Sequence, residues 1–505
     1  MPTSIGAMIS SRTIKSQVPT SSKQNSSLRE FILEEGTAME KLKSLGATFL
    51  LLPLAFLISC GGGGSSSNSG SPTPQSATVY TLGTDATPTM PNIVSFVATV
   101  SGATLSDGTT TASLTTNPQT LDFAKLSGLH TLLDLNSVPP GTYTTVNIML
   151  GAATISWLDT SAVATGGAPV VSTATPTLTS SNISVPLAQP LTLNAGDTVG
   201  LFVDFDLAKS ITIDGSGNVT VNPTFNIRAL AANDVQREID CFFASFVSMS
   251  GNTFVIQGPH GRQYTVSTDN NTFFAPNDGL STFTTNTILS VSGTIDPATH
   301  DIDADEVLVV STDNFFADGL NTFVSPTPGP ATSLQVFVRS ELPDGAGLTL
   351  GEISTFGLNG SEIYRIGNIN LPITSLLFNQ SSLTPGQRVA IGGALDASTS
   401  PPGLAVHRVI LQRQGQEGSW VSGSTTVSSG NAGTFQLMDN RLAGVLLPSP
   451  LTVMTTNATF FVNMTGLSTL TGTNAINLRV VGHVLIDPST SQAVFVARSV
   501  EMIND

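Results

Sequence analysis

The sequence predicts an all-β protein, a β-sandwich followed by three small repeat modules, and three observations carry that prediction. Charged residues make up only 11% of the 505 positions, while the chain holds 46 Gly and 29 Pro. Abundant Thr and Val suit pleated sheets, and Gly and Pro punctuate them with turns. From residue 77 onward, short alternating segments recur between turn signals, which is the pattern of half-buried strands. Beyond residue 240 the chain repeats its own wording.

The first 76 residues belong to neither part. Lys41 and Lys43 precede an apolar stretch from Ala47 to Ile58, and Leu57-Ile58-Ser59-Cys60 closes it. A short positive segment, an apolar core and a small residue before a cut describe a secretory signal. The stretch is shorter than the roughly 20 residues of a membrane span. The tract Gly61–Gly64 and Ser65–Ser67 then supplies a flexible tether. The four residues ending in Cys60 resemble the lipobox of bacterial lipoproteins. That resemblance implies cleavage before Cys60 and a lipid on its thiol, so 39–59 read as signal peptide and 60–76 as tether. It also implies an exported address, and Gly61 in place of Asp favours the outer membrane. Residues 1–38 are polar and Ser-rich, without a periodic apolar face. They read as a mis-assigned extension, with translation starting at Met39.

A first domain is expected over 77–232. In "VPPGTYTTVNIML" a Pro-Pro-Gly turn launches a strand with Val146, Ile148 and Leu150 on one face. In "SITIDGSGNVTVNP", Ile211 and Ile213, then Val219 and Val221, flank a hairpin loop. Strands at this spacing indicate a β-sandwich. The pieces "TDATP" (84–88), "VPPGTYTTVNIML" (138–150) and "LFVDFDLAKSI" (201–211) resemble the family named domain of unknown function 4382. The resemblance implies an immunoglobulin- or prealbumin-like sandwich and no defined activity.

The repeat lies downstream. "TVSTDNNTFFAPNDGLST" (265–282) and "TVMTTNATFFVNMTGLST" (452–469) are identical at 11 of 18 positions without a gap. A strand with a central glycine follows each, "LSVSGTID" (289–296) and "LRVVGHVLID" (478–487), and "VAIGGALD" (389–396) is a diverged third copy. Three modules follow, at 241–324, 335–412 and 419–504, with "SPTPGP" (325–330) and "RQGQEGS" (413–419) as linkers. The glycine marks a bend where a side chain has no room. These modules resemble domain of unknown function 5666, which implies small β-barrels, with the middle copy the most divergent.

Composition excludes some functions. The net charge is −16, and residues 60–505 carry 13 Lys/Arg against 31 Asp/Glu. No basic patch exists to neutralise phosphates, so nucleic acid is not an expected partner. The five histidines, His130, His260, His300, His407 and His483, show no metal-ligand spacing and read as solvated. No catalytic elbow, phosphate loop or dinucleotide fingerprint occurs in the exported part. Cys241, left without a partner if Cys60 is acylated, reads as an inert buried thiol. Asp301, Asp303 and Asp305 alternate, so an extended chain sets all three on one face as a weak calcium candidate. Glu306 stands where a calcium loop needs Gly. Asp204 and Asp206 share a face in the same way.

Phenylalanine is the telling aromatic, with 25 Phe against four Tyr and two Trp, too few of the latter for a sugar platform. It comes in doublets at 242–243, 273–274, 315–316 and 460–461. In a strand one ring of each doublet points away from its own core, which nominates Phe243, Phe274, Phe316 and Phe461 for packing between modules or against a partner; the other reading buries both rings at an irregular strand end. The expectation is a lipid-anchored, non-catalytic envelope protein without cofactor, acting as a structural or adhesin-like binding module. Its partners would be a membrane through Cys60 and an envelope protein or polysaccharide. The alternative is a calcium-dependent carbohydrate binder or an enzyme with a loop-built site.

Overall fold

In the computed structural model the described residues run from 76 to 503, apart from 86–91, 164–168, 368–375, 397–402 and stretches of one to three residues. Cys60, the signal and the tether therefore lie outside them. The fold is nearly all-β, with 62% strand and 5% helix in several small sheets. The described residues fall within one compact unit.

The N-terminal part builds two main sheets. The first runs Phe225–Leu230, Thr198–Phe205, Ala77–Thr84, Thr131–Val138, and its central pair is parallel. The second is built on Ile93–Ser106 and Gly141–Val163. Val79, Phe96, Ile155 and Phe205 fill one core between them. A small third sheet joins Ile211–Ile213, Val219–Val221 and Thr177–Leu178.

Two later sheets close on themselves. Ile239–Ser250, Thr253–Gln257, Gln263–Ser267, Ile302–Ser311 and Ile288–Ile295 pair in a circuit, completed by a parallel contact between Gln263–Ser267 and Ile302–Ser311. Gln414–Trp420, Asn477–Asp487, Gln492–Met502, Leu451–Thr455 and Ala432–Met438 make a second circuit of the same kind. Between them a six-stranded sheet, ordered Ile353–Gly357, Ser333–Leu342, Phe315–Ser325, Arg388–Asp396, Gly403–Leu411, Ile363–Ile366, has no closing pair among the described residues.

The repeated wording has repeated structure. Thr272 Oγ1 donates to the Ala304 carbonyl at 2.7 Å, and Thr459 Oγ1 to the Ala497 carbonyl at 2.8 Å. Each bond fixes a Phe doublet as a short parallel strand, against Glu306–Val307 in one circuit and Ser499–Val500 in the other. The repeated glycines sit at register shifts of the strand pairs, next to Ser292, Gly392 and Val481. A Cβ on Gly293, Gly393 or Gly482 would fall far inside contact distance of the carbonyl oxygen of Asp303, Ala405 or Val496. The sequence reading placed a bend there; the structure adds the reason, a facing backbone.

The expected module boundaries shift. "SPTPGP" is not a linker, because Phe315–Ser325 and Ser333–Leu342 on either side of it are paired neighbours in the middle sheet. Phe315 and Phe316 thus leave the first module, to which 241–324 assigned them. "RQGQEGS" is not a linker either, since Gln414–Trp420 is a strand of the second circuit.

Nor do the sheets separate clearly into a sandwich and three barrels. Tyr80, Leu82 and Phe202, on the outer face of the first sheet, join Phe242, Phe254 and Val291 of the first circuit. That circuit meets the middle sheet through Phe243, Leu308, Phe316 and Ala390. Val389 and Val409 of the middle sheet meet Leu485 and Val496 of the second circuit. Phe435 and Val480 of that circuit then pack with Phe337 and with Val94 and Leu158 of the second N-terminal sheet. Shared cores thus run in a closed order, a five-blade propeller-like arrangement. The cause is apolar residues on strand faces that an alternating reading leaves to solvent.

The glycine register gives a direct test. Gly482→Ala is expected to destabilise by about 3 kcal/mol, because the added Cβ must displace the facing Val496 carbonyl. Gly279→Ala, where an added Cβ meets nothing within 4 Å, is expected to stay within about 0.5 kcal/mol. Urea unfolding of both variants measures the contrast.

Candidate functional site

Where these sheets converge, charged side chains replace apolar ones. Arg413 follows the strand Gly403–Leu411 and is 1% exposed. Its Nη1 donates to Glu238 Oε1 at 2.9 Å and to Asp240 Oδ1 at 2.6 Å. Its Nη2 donates to Ser292 Oγ at 2.8 Å and Glu306 Oε2 at 3.3 Å. Glu238 also receives a two-pronged contact from Arg498, at 2.6 and 2.7 Å. Residues 238 and 240 share a face because side chains alternate along the extended chain. A second buried set lies beside the first. Arg388 grips Asp318 through Nε and Nη2, both at 3.1 Å, and gives Nη1 to the Arg413 carbonyl.

Burial dominates the electrostatics. It pushes the Glu306 carboxyl up to about 7 and Glu238 up to about 8, against the pull of Arg413. Burial disfavours the charge of Arg413 itself, yet Asp240 and Glu238 hold it well above its usual range. Burial holds the His130 imidazole below its ordinary value and the Cys241 thiol above its own. Two adjoining cavities of about 340 and 540 Å³ open against this cluster, both walled by Glu238, Asp305, Arg413, Phe460 and Arg498. Phe460, 59% exposed, stands at their edge. The arrangement locks three sheets together and presents a polar mouth with one aromatic face.

The sequence-nominated residues divide. Phe243 and Phe316 do meet across the first circuit and the middle sheet, ring centroids 4.4 Å apart. Phe274 stays with Phe283 of its own circuit, and Phe461 packs in the core of the second. Asp301 accepts from Ser267 Oγ at 3.1 Å, while Asp303 and Asp305 lie along the strand Ile302–Ser311. Among the described residues no three His, Cys, Asp or Glu side chains are placed to hold a metal ion. Asp206 caps the short helix Leu207–Ser210, accepting from Lys209 N and Nζ, whereas Asp204 accepts from Asn226. Local capping thus accounts for "DFDLAKS". Trp420 is buried with its indole N–H on Thr425.

Two histidines correct the solvated reading. His130 packs edge-on to Phe202, and His483, fully buried, contacts the Gly367 carbonyl through Nε2 at 2.7 Å. Burial holds His483 down to about 3, so it stays neutral. His300 and His407 are nearer the surface, on Thr198 and Asp313. His260 lies outside the described residues. Sequence reasoning missed the Arg413 cluster, although "REIDCF" sets two carboxylates at alternate positions in a chain poor in cations.

Residues 76–223 match the model of a family described as a domain of unknown function, DUF4382. No curated protein matches the chain.

The cluster predicts a large penalty for breaking it. Arg413→Met leaves Glu238, Asp240 and Glu306 buried without their common partner and is expected to cost about 3–5 kcal/mol. The raised carboxyls also set a pH dependence. Each contributes stability that is present below its ordinary value and lost as pH rises through its folded value. Urea midpoints are therefore expected to fall between about pH 5 and pH 8 in this window. Glu306→Gln is expected to flatten that fall by up to ~3 kcal/mol.

Proposed function

We propose that the chain is a non-catalytic protein of the bacterial envelope, held to a membrane by a lipid on Cys60. Its role is that of a structural or adhesin-like binding module for an envelope protein or polysaccharide. One observation carries the non-catalytic reading: the densest constellation of titratable groups is spent on itself. The described carboxylates of the Arg413 cluster face guanidinium groups, and the hydroxyl beside them, Ser292, is held by Arg413 and by the Cys241 amide. A working nucleophile needs a base free to take its proton. The hydroxyl–imidazole contact seen among the described residues, Thr198 with His300 at 3.1 Å, does not offer one, because Thr198 Oγ1 donates to the Pro297 carbonyl.

The domain reading has its own support. The two N-terminal sheets around one core favour an immunoglobulin- or prealbumin-like sandwich over 77–232. The two five-strand circuits favour barrels like those implied by the resemblance to domain of unknown function 5666. Anchoring rests on the run from Lys41 to Cys60 and the Gly/Ser tether behind it. The absence of Asp after Cys60 favours the outer membrane.

Metabolic labelling with a palmitate analogue tests the anchor. The native chain is expected to take up label and sediment with outer membranes, and Cys60→Ser to lose both. An unlabelled native chain, with residues before Cys60 still attached, refutes the reading. For the calcium alternative, thermal midpoints with millimolar calcium and with a chelator are expected to coincide.

A further inference from the structure

A third cavity, of about 410 Å³, lies between the second N-terminal sheet, the first circuit and the middle sheet. Its size falls within the roughly 300–1,000 Å³ of small-molecule sites, which are mostly apolar with a few placed polar groups. One wall is apolar, made by Phe243, Phe316, Leu342 and Leu350. The other carries Lys125, Arg339 and Arg388 with Asp122.

The polar wall is incompletely satisfied. Lys125 sits in the 3-10 turn Phe123–Leu126 with its side chain 19% exposed. Its Nζ comes no nearer than 3.9 Å to Asp318, and no acceptor among the described residues is within hydrogen-bond distance. Burial holds this ammonium below its ordinary value. Asp122, 5% exposed, accepts the Phe96 amide on Oδ1, while its buried Oδ2 faces Arg339 Nε at 3.5 Å as an ion pair and receives no hydrogen bond among the described residues. An unmade hydrogen bond of this kind is costly in a buried site. Lys125, Arg339 and Arg388 face Asp122 and Asp318, and Glu341 and Asp240 also line the cavity. The other acids of the wall are committed. Glu341 accepts the amides of Gly345 and Leu348, and Asp240 is held by Arg413.

We propose that this cavity binds a medium-chain hydroxy fatty acid. Its carboxylate takes the open donors of Lys125. Its hydroxyl donates to Asp122 Oδ2, and its chain lies along Phe243, Phe316, Leu342 and Leu350. The inference is independent of the anchor at Cys60 and does not depend on the envelope reading.

Calorimetric titration of the full chain with 3-hydroxydecanoate tests it, with decanoate and 1,3-decanediol as comparison ligands. Saturable one-to-one binding is expected, with the diol weaker by about tenfold or more. Lys125→Met is expected to weaken the hydroxy acid by a similar factor. Asp122→Asn is expected to weaken 3-hydroxydecanoate and spare decanoate. Leu350 is 53% exposed, so Leu350→Trp can block the cavity without disturbing the core, and near-ultraviolet circular dichroism verifies that each variant folds. Absence of saturable binding by the native chain overturns the proposal. So does binding that is unchanged in both Lys125→Met and Leu350→Trp.

Discussion

The structure depends on one desolvated guanidinium. Arg413 is 1% exposed, and its stability there comes from contacts supplied by three segments of chain: 238–240, 292 and 306. Desolvating such a group costs several kcal/mol, recovered only when geometry and hydrogen bonding are good. Among the described residues its Nε still lacks a hydrogen-bond partner, as does Glu306 Oε1. The cluster is therefore a weak source of net stability and a strong source of specificity. An alternative packing of these sheets that moved Arg413 would strand buried carboxylates, so the pairing selects one arrangement among many that bury similar apolar area.

Around that centre the sheets are unusually two-faced. Ala77–Thr84 and Phe315–Ser325 are buried along nearly their whole lengths. Strands covered on both sides read as continuous apolar runs and gain their hydrogen bonds only from neighbours in the sheet. Polar side chains that enter such layers must find backbone partners. Gln387 does so, donating to the carbonyls of Ser382 and Val484 across two sheets. Arg339 does so as well, giving Nε and Nη2 to the Val94 carbonyl.

Much of the local structure was legible in the residues. The Phe doublets, the hairpin at Ile211–Val221 and the repeated glycines are all short-range patterns, and each has its counterpart in a strand, a turn or a register shift. The Gly293, Gly393 and Gly482 positions show why: the constraint is a backbone atom one strand away, repeated in each copy. What was not legible is long-range. Nothing near Arg413 in sequence announces Glu238, 175 residues earlier. "SPTPGP" and "RQGQEGS" looked like linkers because Pro, Gly and Gln are common in connections, while their role here is set by the strands beside them. His483 looked solvated because a lone histidine in a polar chain usually is; the partner that lets it be buried, the Gly367 carbonyl, is 116 residues away.

The ion pair between Glu238 and Arg498 spans 260 residues. Synthesis delivers Glu238 long before its second arginine. Until the final strand arrives, the acids of the first circuit wait with incomplete neutralisation and the seam between circuits stays wet. Such late, distant closure slows maturation, because chain entropy is surrendered before the reward comes. It also makes the last hairpin, Asn477–Met502, the latch whose arrival seals everything built before it.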